Sequence, residues 1–128
     1  MSCECQNNSI ALQIKKGESI GFAFTVYEND APINLTGGTV VFQVRENIID
    51  DGNYIINKLI SEASSAETAG QITDPEKGEF EVKVNSSDIE NMLTTRPYFL
   101  AIYYNVNGVS RCVSAQGDSV GTFNVLNP

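Results

Sequence analysis

The sequence predicts an all-β protein, an antiparallel β-sandwich of about eight strands. Three observations carry this expectation. Apolar and polar residues alternate with a period of two in segment after segment, most cleanly in Glu79-Phe80-Glu81-Val82-Lys83-Val84. That is the pattern of a strand with one face on a core and the other in water. Turn-forming clusters such as Asp50-Asp51-Gly52-Asn53, Asp74-Pro75-Glu76-Lys77-Gly78 and Asn107-Gly108 separate these segments, at intervals expected of a sandwich. Finally, the single stretch that reads as helical, near 87–93, is one short turn.

Taken in order, residues 1–9 are polar and read as a flexible arm, with one domain following over 10–128. Ile10, Leu12 and Ile14 share one face of a first strand. A turn at Lys15-Lys16-Gly17-Glu18 leads to a second strand over 19–28. There Ile20, Phe22, Phe24 and Val26 face inward, and Gly21, Ala23, Thr25 and Tyr27 outward. Phenylalanines at this spacing are core residues by their burial habits, ahead of any ligand stripe. The polar loop 29–38, with Pro32 and Gly37-Gly38, then delivers the chain into a third strand. Val40, Phe42 and Val44 lie on one face of that strand, Val41, Gln43 and Arg45 on the other. Two period-2 segments joined by a short loop predict that the second and third strands pair as a hairpin.

Tyr54–Ile60 could form a strand or a pair of helical turns, and its β-branched content and the turn before it favour a strand. Ser61–Ala69 is small and polar with no apolar stripe, hence an exposed loop. A brief strand at 70–73, a proline turn, and the strand at 79–84 follow. Ser87 and Glu90 have the spacing of a capping box, and Ile89 and Leu93, four apart on that turn, would plug one end of the core. Pro97–Val106 is apolar on both faces, which predicts a central strand or one with a face covered by a neighbour. Asn107-Gly108 is the dipeptide of a type I′ hairpin, returning the chain through 109–114. A last strand over 120–126 closes the sheet.

Composition narrows the function. At 128 residues the chain suits a single domain. The net charge is -8, and the eight basic residues are scattered, with only Lys15 and Lys16 adjacent. This argues against nucleic acid and anionic membrane as partners. No segment approaches the ~18 apolar residues of a membrane helix, and the N-terminus lacks the basic start and apolar run of a signal peptide. Asn7, Asn34 and Asn85 begin glycosylation sequons, and without a secretory route they read as turn residues.

Catalytic chemistry finds little support. General acid–base work near neutral pH usually leans on histidine, and the chain has none. Glu79 and Glu81 share a face with Lys83, as on a solvated strand. Gly37-Gly38 lacks the lysine of a phosphate loop and precedes a strand. Three cysteines, Cys3, Cys5 and Cys112, with no histidine, fall short of a zinc site and read as reduced thiols. Oxygen ligands at Asp50, Asp51 and Asn53 could be drawn into a calcium site, but turn formation explains them. No cofactor is expected.

One resemblance adds to this reading. The run from Lys16 to Arg45, with Gly21-Phe22-Ala23-Phe24-Thr25-Val26 and then Pro32-Ile33-Asn34-Leu35-Thr36-Gly37-Gly38-Thr39-Val40-Val41-Phe42-Gln43-Val44-Arg45, resembles the small immunoglobulin-like β-sandwich domains of tailed-phage virion proteins. These include the N-terminal domains of upper baseplate proteins. Pro97–Tyr104 and the closing Gly121–Val125 strand add a weaker match. The resemblance implies an immunoglobulin-like sandwich and a non-enzymatic virion subunit, synthesised in the host cytoplasm. Its implied work is assembly of the tail, baseplate, neck or capsid surface through contacts with other virion proteins, as a homo-oligomer or in many copies. It transfers no functional residue. The interface candidates come from the residues themselves. Tyr27, Phe99 and Tyr103 are outward aromatics with the character of interface side chains. Cys3 and Cys5 lie in an arm suited, with the 61–69 loop, to contacts that order in a complex. The alternative is a cell-encoded sandwich that binds carbohydrate or protein.

Overall fold

In a computed structural model, which describes residues 11–28, 31–47, 52–114 and 121–128, two β-sheets face each other across one core. The larger sheet holds β1 (Ala11–Lys15), β11 (Gly121–Leu126), β9 (Tyr98–Val106), β5 (Thr39–Arg45) and β6 (Tyr54–Ile60) in that order, with β10 (Val109–Ser114) also pairing with β9. The smaller sheet has the order β2 (Ile20–Thr25), β8 (Glu79–Val84), β7 (Gly70–Asp74). A two-residue hairpin, β3 (Tyr27–Glu28) with β4 (Ala31–Pro32), continues from β2. The arm at 1–9, with Cys3 and Cys5, lies outside the described residues, as do Ile10, Asp50 and Asp51.

The predicted β-sandwich is therefore present, and its pairs are antiparallel with one exception. β1 runs parallel to β11, with Leu12 opposite Phe123 and Ile14 opposite Val125. The predicted hairpin between the second and third strands does not form. β2 pairs with β8, while β5 pairs with β6 and β9 in the opposite sheet. The chain crosses the core between them: Leu35, fully buried, has its N–H on the carbonyl of Pro75 at 2.7 Å. Both strands bury the same face against each other, and two such faces satisfy one another better across a core than side by side.

The core fills from both sheets. Val40, Phe42 and Val44 of β5, Leu100 and Ile102 of β9 and Phe123 of β11 meet Phe80, Val82 and Val84 of β8, all essentially inaccessible to water. Phe42 and Phe123 meet edge to face at 6.5 Å, and Phe24 stacks on Phe80 at 5.2 Å, geometries that suit aromatic quadrupoles. Phe22 and Phe24 pack on this core but are only half-buried. β9 is central, as its two apolar faces predict. Asn107 and Gly108 both take positive φ, 54° and 77°, as a type I′ turn requires. Asn34 accepts the N–H of Thr36 at 2.9 Å, so this sequon forms a turn.

The helical turn α1 (Ser86–Ile89) is capped two residues earlier than predicted. Asn85 is the N-cap, and its N–H donates to Asp88 Oδ2 at 2.8 Å, so Asp88 takes the place expected of Glu90. The core plug is Ile89 with Met92, both buried, while Leu93 is 56% exposed. The 61–69 loop is exposed as expected, yet its backbone is tied down. Ser64 Oγ accepts the N–H of Ser61 at 2.8 Å and lies 2.6 Å from the Gly70 carbonyl. Asn85 Nδ2 donates to the carbonyl of Glu67 at 2.8 Å.

A clasp joins this loop and α1 to the larger sheet. Lys58, on the inner side of β6 opposite Phe42, reaches Asp88 at 2.9 Å and the carbonyl of Thr68 at 2.6 Å. Its side chain is 11% exposed, so solvent screens this pair less than a surface one. Lys58→Ala should cost about 1–2 kcal/mol in urea denaturation, because it removes the cation from a partly shielded carboxylate and unties the loop at Thr68. Met92→Ala should cost about 2–4 kcal/mol, and Leu93→Ala within about 0.5 kcal/mol of nothing. Comparable losses for these two substitutions would contradict the plug described above.

Candidate interaction surface

The outer face of the larger sheet holds a group of side chains that the core does not use. In β5 the residues alternate, so Val41, Gln43 and Arg45 turn away from the core that Val40, Phe42 and Val44 enter. Strand pairing brings outward residues of four strands into rows. One row runs Tyr54, Arg45, Phe99 and Thr122, and another runs Leu59, Val41 and Tyr103. Between them lie Asn57, Gln43 and Ala101.

Arg45 is the centre of this face. It is 3% exposed although it points away from the core. Its guanidinium lies between the rings of Tyr54 and Tyr103, 5.9 Å from each centroid. Nη2 donates to Gln43 Oε1 at 2.9 Å and to Tyr103 Oη at 3.1 Å. A planar cation lying over aromatic rings keeps favourable electrostatics while losing water. The register change between Val44 and Arg45 against β6 sets Arg45 opposite Tyr54; such irregularities commonly re-aim a side chain. Around this centre, Phe99 and Tyr103 are half-buried and Leu59 is 62% exposed.

Of the predicted interface residues, Phe99 and Tyr103 come together on this face. Tyr27, 47% exposed, sits instead opposite Pro32 in the β3–β4 hairpin. Arg45, Tyr54 and Leu59 were not singled out by the sequence. Alternation turns Arg45 outward, but it would set Tyr54 and Leu59, five apart in β6, on opposite faces. The irregularity opposite Val44 and Arg45 brings Tyr54 to the outer face, and the pairing of β5 with β9 and β6 sets both on the same face as Tyr103.

Chemistry-bearing groups elsewhere are dispersed. Among the described residues no three Cys, Asp or Glu side chains gather as a metal site would need. Asn53, drawn into the calcium reading, borders an open depression of about 460 Å³ with Glu46, Asn47, Gly52, Tyr54 and Ile55. Glu79, Glu81 and Lys83 are partly exposed on the outer side of β8. No helix among the described residues is long and apolar enough to cross a membrane.

An acidic β-sandwich with an aromatic outer face and scattered titratable groups has the makings of an interaction domain. The chain belongs to the BppU N-terminal domain family, whose sequence profile matches residues 2–111; this is the N-terminal domain of baseplate upper proteins. Among solved structures the chain is similar to the "N-terminal domain of phage TP901-1 ORF48", at 11% identity and a TM-score of 0.49, over 90% of this chain and 83% of that one. No curated protein sequence matches it. Membership of this family implies a structural virion role, with contacts to other virion proteins in a multi-copy assembly.

Arg45→Ala should cost roughly 2–3 kcal/mol, since it removes packing between two rings and leaves Gln43 without its donor. Tyr103→Phe, which deletes only the hydroxyl, should cost about 1 kcal/mol or less. Chemical denaturation of both variants checks the order; a larger loss for Tyr103→Phe would contradict the central role given to Arg45.

Proposed function

We propose that this chain is a non-enzymatic assembly subunit of the phage tail baseplate, and that it binds neighbouring virion subunits through the outer face of its larger sheet. The observation that carries this reading is the cluster of Tyr54, Arg45, Tyr103 and Phe99 beside the exposed Leu59. Tyrosine and arginine are the residues that dominate binding energy at protein interfaces. Arg45 holds both rings in place before any partner arrives, which lowers the entropy lost on docking. The family supports the baseplate over the neck and capsid surface. The non-enzymatic reading is supported by that family and by the absence of histidine from the sequence. Assembly would take place in many copies, with Cys3, Cys5 and Tyr27 as secondary contact points.

Leu59→Asp combined with Phe99→Asp introduces charge into this face without altering the core. Particles assembled with this variant should contain roughly tenfold less of it, or fail to complete the baseplate, while its circular dichroism stays that of the wild type. Normal incorporation of a folded variant would remove this face from assembly.

A further inference from the structure

The strands that end a sheet do not all end it in the same way. β7 has a register shift between Ile72 and Asp74, and the N–H of Ile72 is taken by the Ser61 carbonyl at 3.0 Å. β10 has a shift between Cys112 and Ser114. β1 ends on Lys15, followed by Lys16. Bulges and lysines are the usual protections of an open edge. β2, Ile-Gly-Phe-Ala-Phe-Thr, has no bulge, charge or proline.

Its hydrogen-bonding direction follows from one bond. The N–H of Val26 donates to the carbonyl of Gly78 at 2.9 Å, one step beyond the Thr25–Glu79 pair. In an antiparallel ladder, directly opposed residues alternate between those that exchange bonds and those that do not. Phe24 opposite Phe80, Phe22 opposite Val82 and Ile20 opposite Val84 thus continue the bonded series. The N–H and C=O groups of Gly21, Ala23 and Thr25 point to the other side, where no strand among the described residues pairs with β2. All three residues are exposed.

The two sides of this edge differ chemically. On the inner side, Phe22 and Phe24 pack on the core but remain half-buried. On the outer side, the Glu81 carboxylate leans across Gly21, with Oε1 2.8 Å from where a Cβ would stand, and Glu79 lies opposite Thr25.

We propose that the free edge of β2 is a strand-accepting site for an extended segment of another virion subunit. The segment would place apolar residues inward against Phe22 and Phe24 and basic residues outward toward Glu81. Main-chain bonds supply affinity in such strand addition, and the alternating side chains supply selectivity. A second copy of this chain is the wrong occupant, since two such edges would bring Glu81 carboxylates together between molecules of net charge -8. This inference rests on the assembly reading above but uses a different surface.

Hydrogen exchange of the full chain, read at the amides of Gly21, Ala23 and Thr25, tests it. The probe is a capped peptide of alternating lysine and valine matched in length to β2. It should slow these amides by about tenfold, while an alternating glutamate and valine peptide should leave them unchanged. Ala23→Pro removes one edge-facing N–H without touching the β2–β8 ladder and should weaken binding roughly tenfold. Glu81→Lys should reverse the preference between peptides, and it carries the test by itself should Ala23→Pro not fold. The proposal is overturned by absent slowing with the lysine peptide, by equal slowing with both, or by peptide-free slowing that grows with protein concentration. If it falls while the Leu59→Asp and Phe99→Asp variant is still excluded from particles, strand acceptance is lost and the assembly reading stands.

Discussion

The structure depends on the way β9 is shared. Its nine residues pair with β5 along one side, from Phe99 opposite Arg45 to Asn105 opposite Thr39. Its other side is divided, β11 taking 98–100 and β10 taking 102–106. A strand flanked on both sides and covered on its inner face must be apolar nearly throughout, and Tyr98, Leu100, Ala101, Ile102 and Tyr104 are all buried. The last strand of the chain then recruits the first, through the parallel pairing of β11 with β1. Pairings this distant in sequence carry a large loop-closure cost, which only simultaneous burial of both sheets offsets.

That arrangement leaves two surfaces with unspent binding capacity, and they differ in kind. The outer face of the larger sheet is a side-chain surface, rigidified by a guanidinium between two tyrosine rings. The β2 edge is a backbone surface, with the N–H and C=O groups of Gly21, Ala23 and Thr25 facing away from β8, bordered by an aromatic side and an acidic side. In a multi-copy assembly, surfaces of distinct chemistry reduce competition between partners.

Much of the fold is legible in the sequence because period-2 alternation is local. Glu79–Val84 and Tyr98–Val106 declare their faces by themselves, and Asn107-Gly108 declares its turn. The errors share one cause. The expected hairpin between the second and third strands read adjacency along the chain as adjacency in a sheet, whereas the intervening loop crosses the core at Leu35. Ser87 and Glu90 have the same spacing as a capping box, but Asp88 lies in reach of the Asn85 N–H, and spacing cannot say which turn the chain takes. Met92 and Leu93 lie beyond the end of α1, where helical spacing from Ile89 no longer decides which side chain turns into the core.

By itself the sequence determined the all-β class, the position of most strands, the inward rows of β5, β8 and β9, and the outward placement of Phe99 and Tyr103. Each of these follows from the preference of a pleated backbone to turn alternate side chains to opposite sides. Which strands became neighbours was decided only by the tertiary structure, and with it the meeting of Arg45, Tyr54 and Tyr103 and the exposure of the β2 edge. Those outcomes depend on the joint burial of two faces far apart in the chain, a quantity that belongs to no single segment.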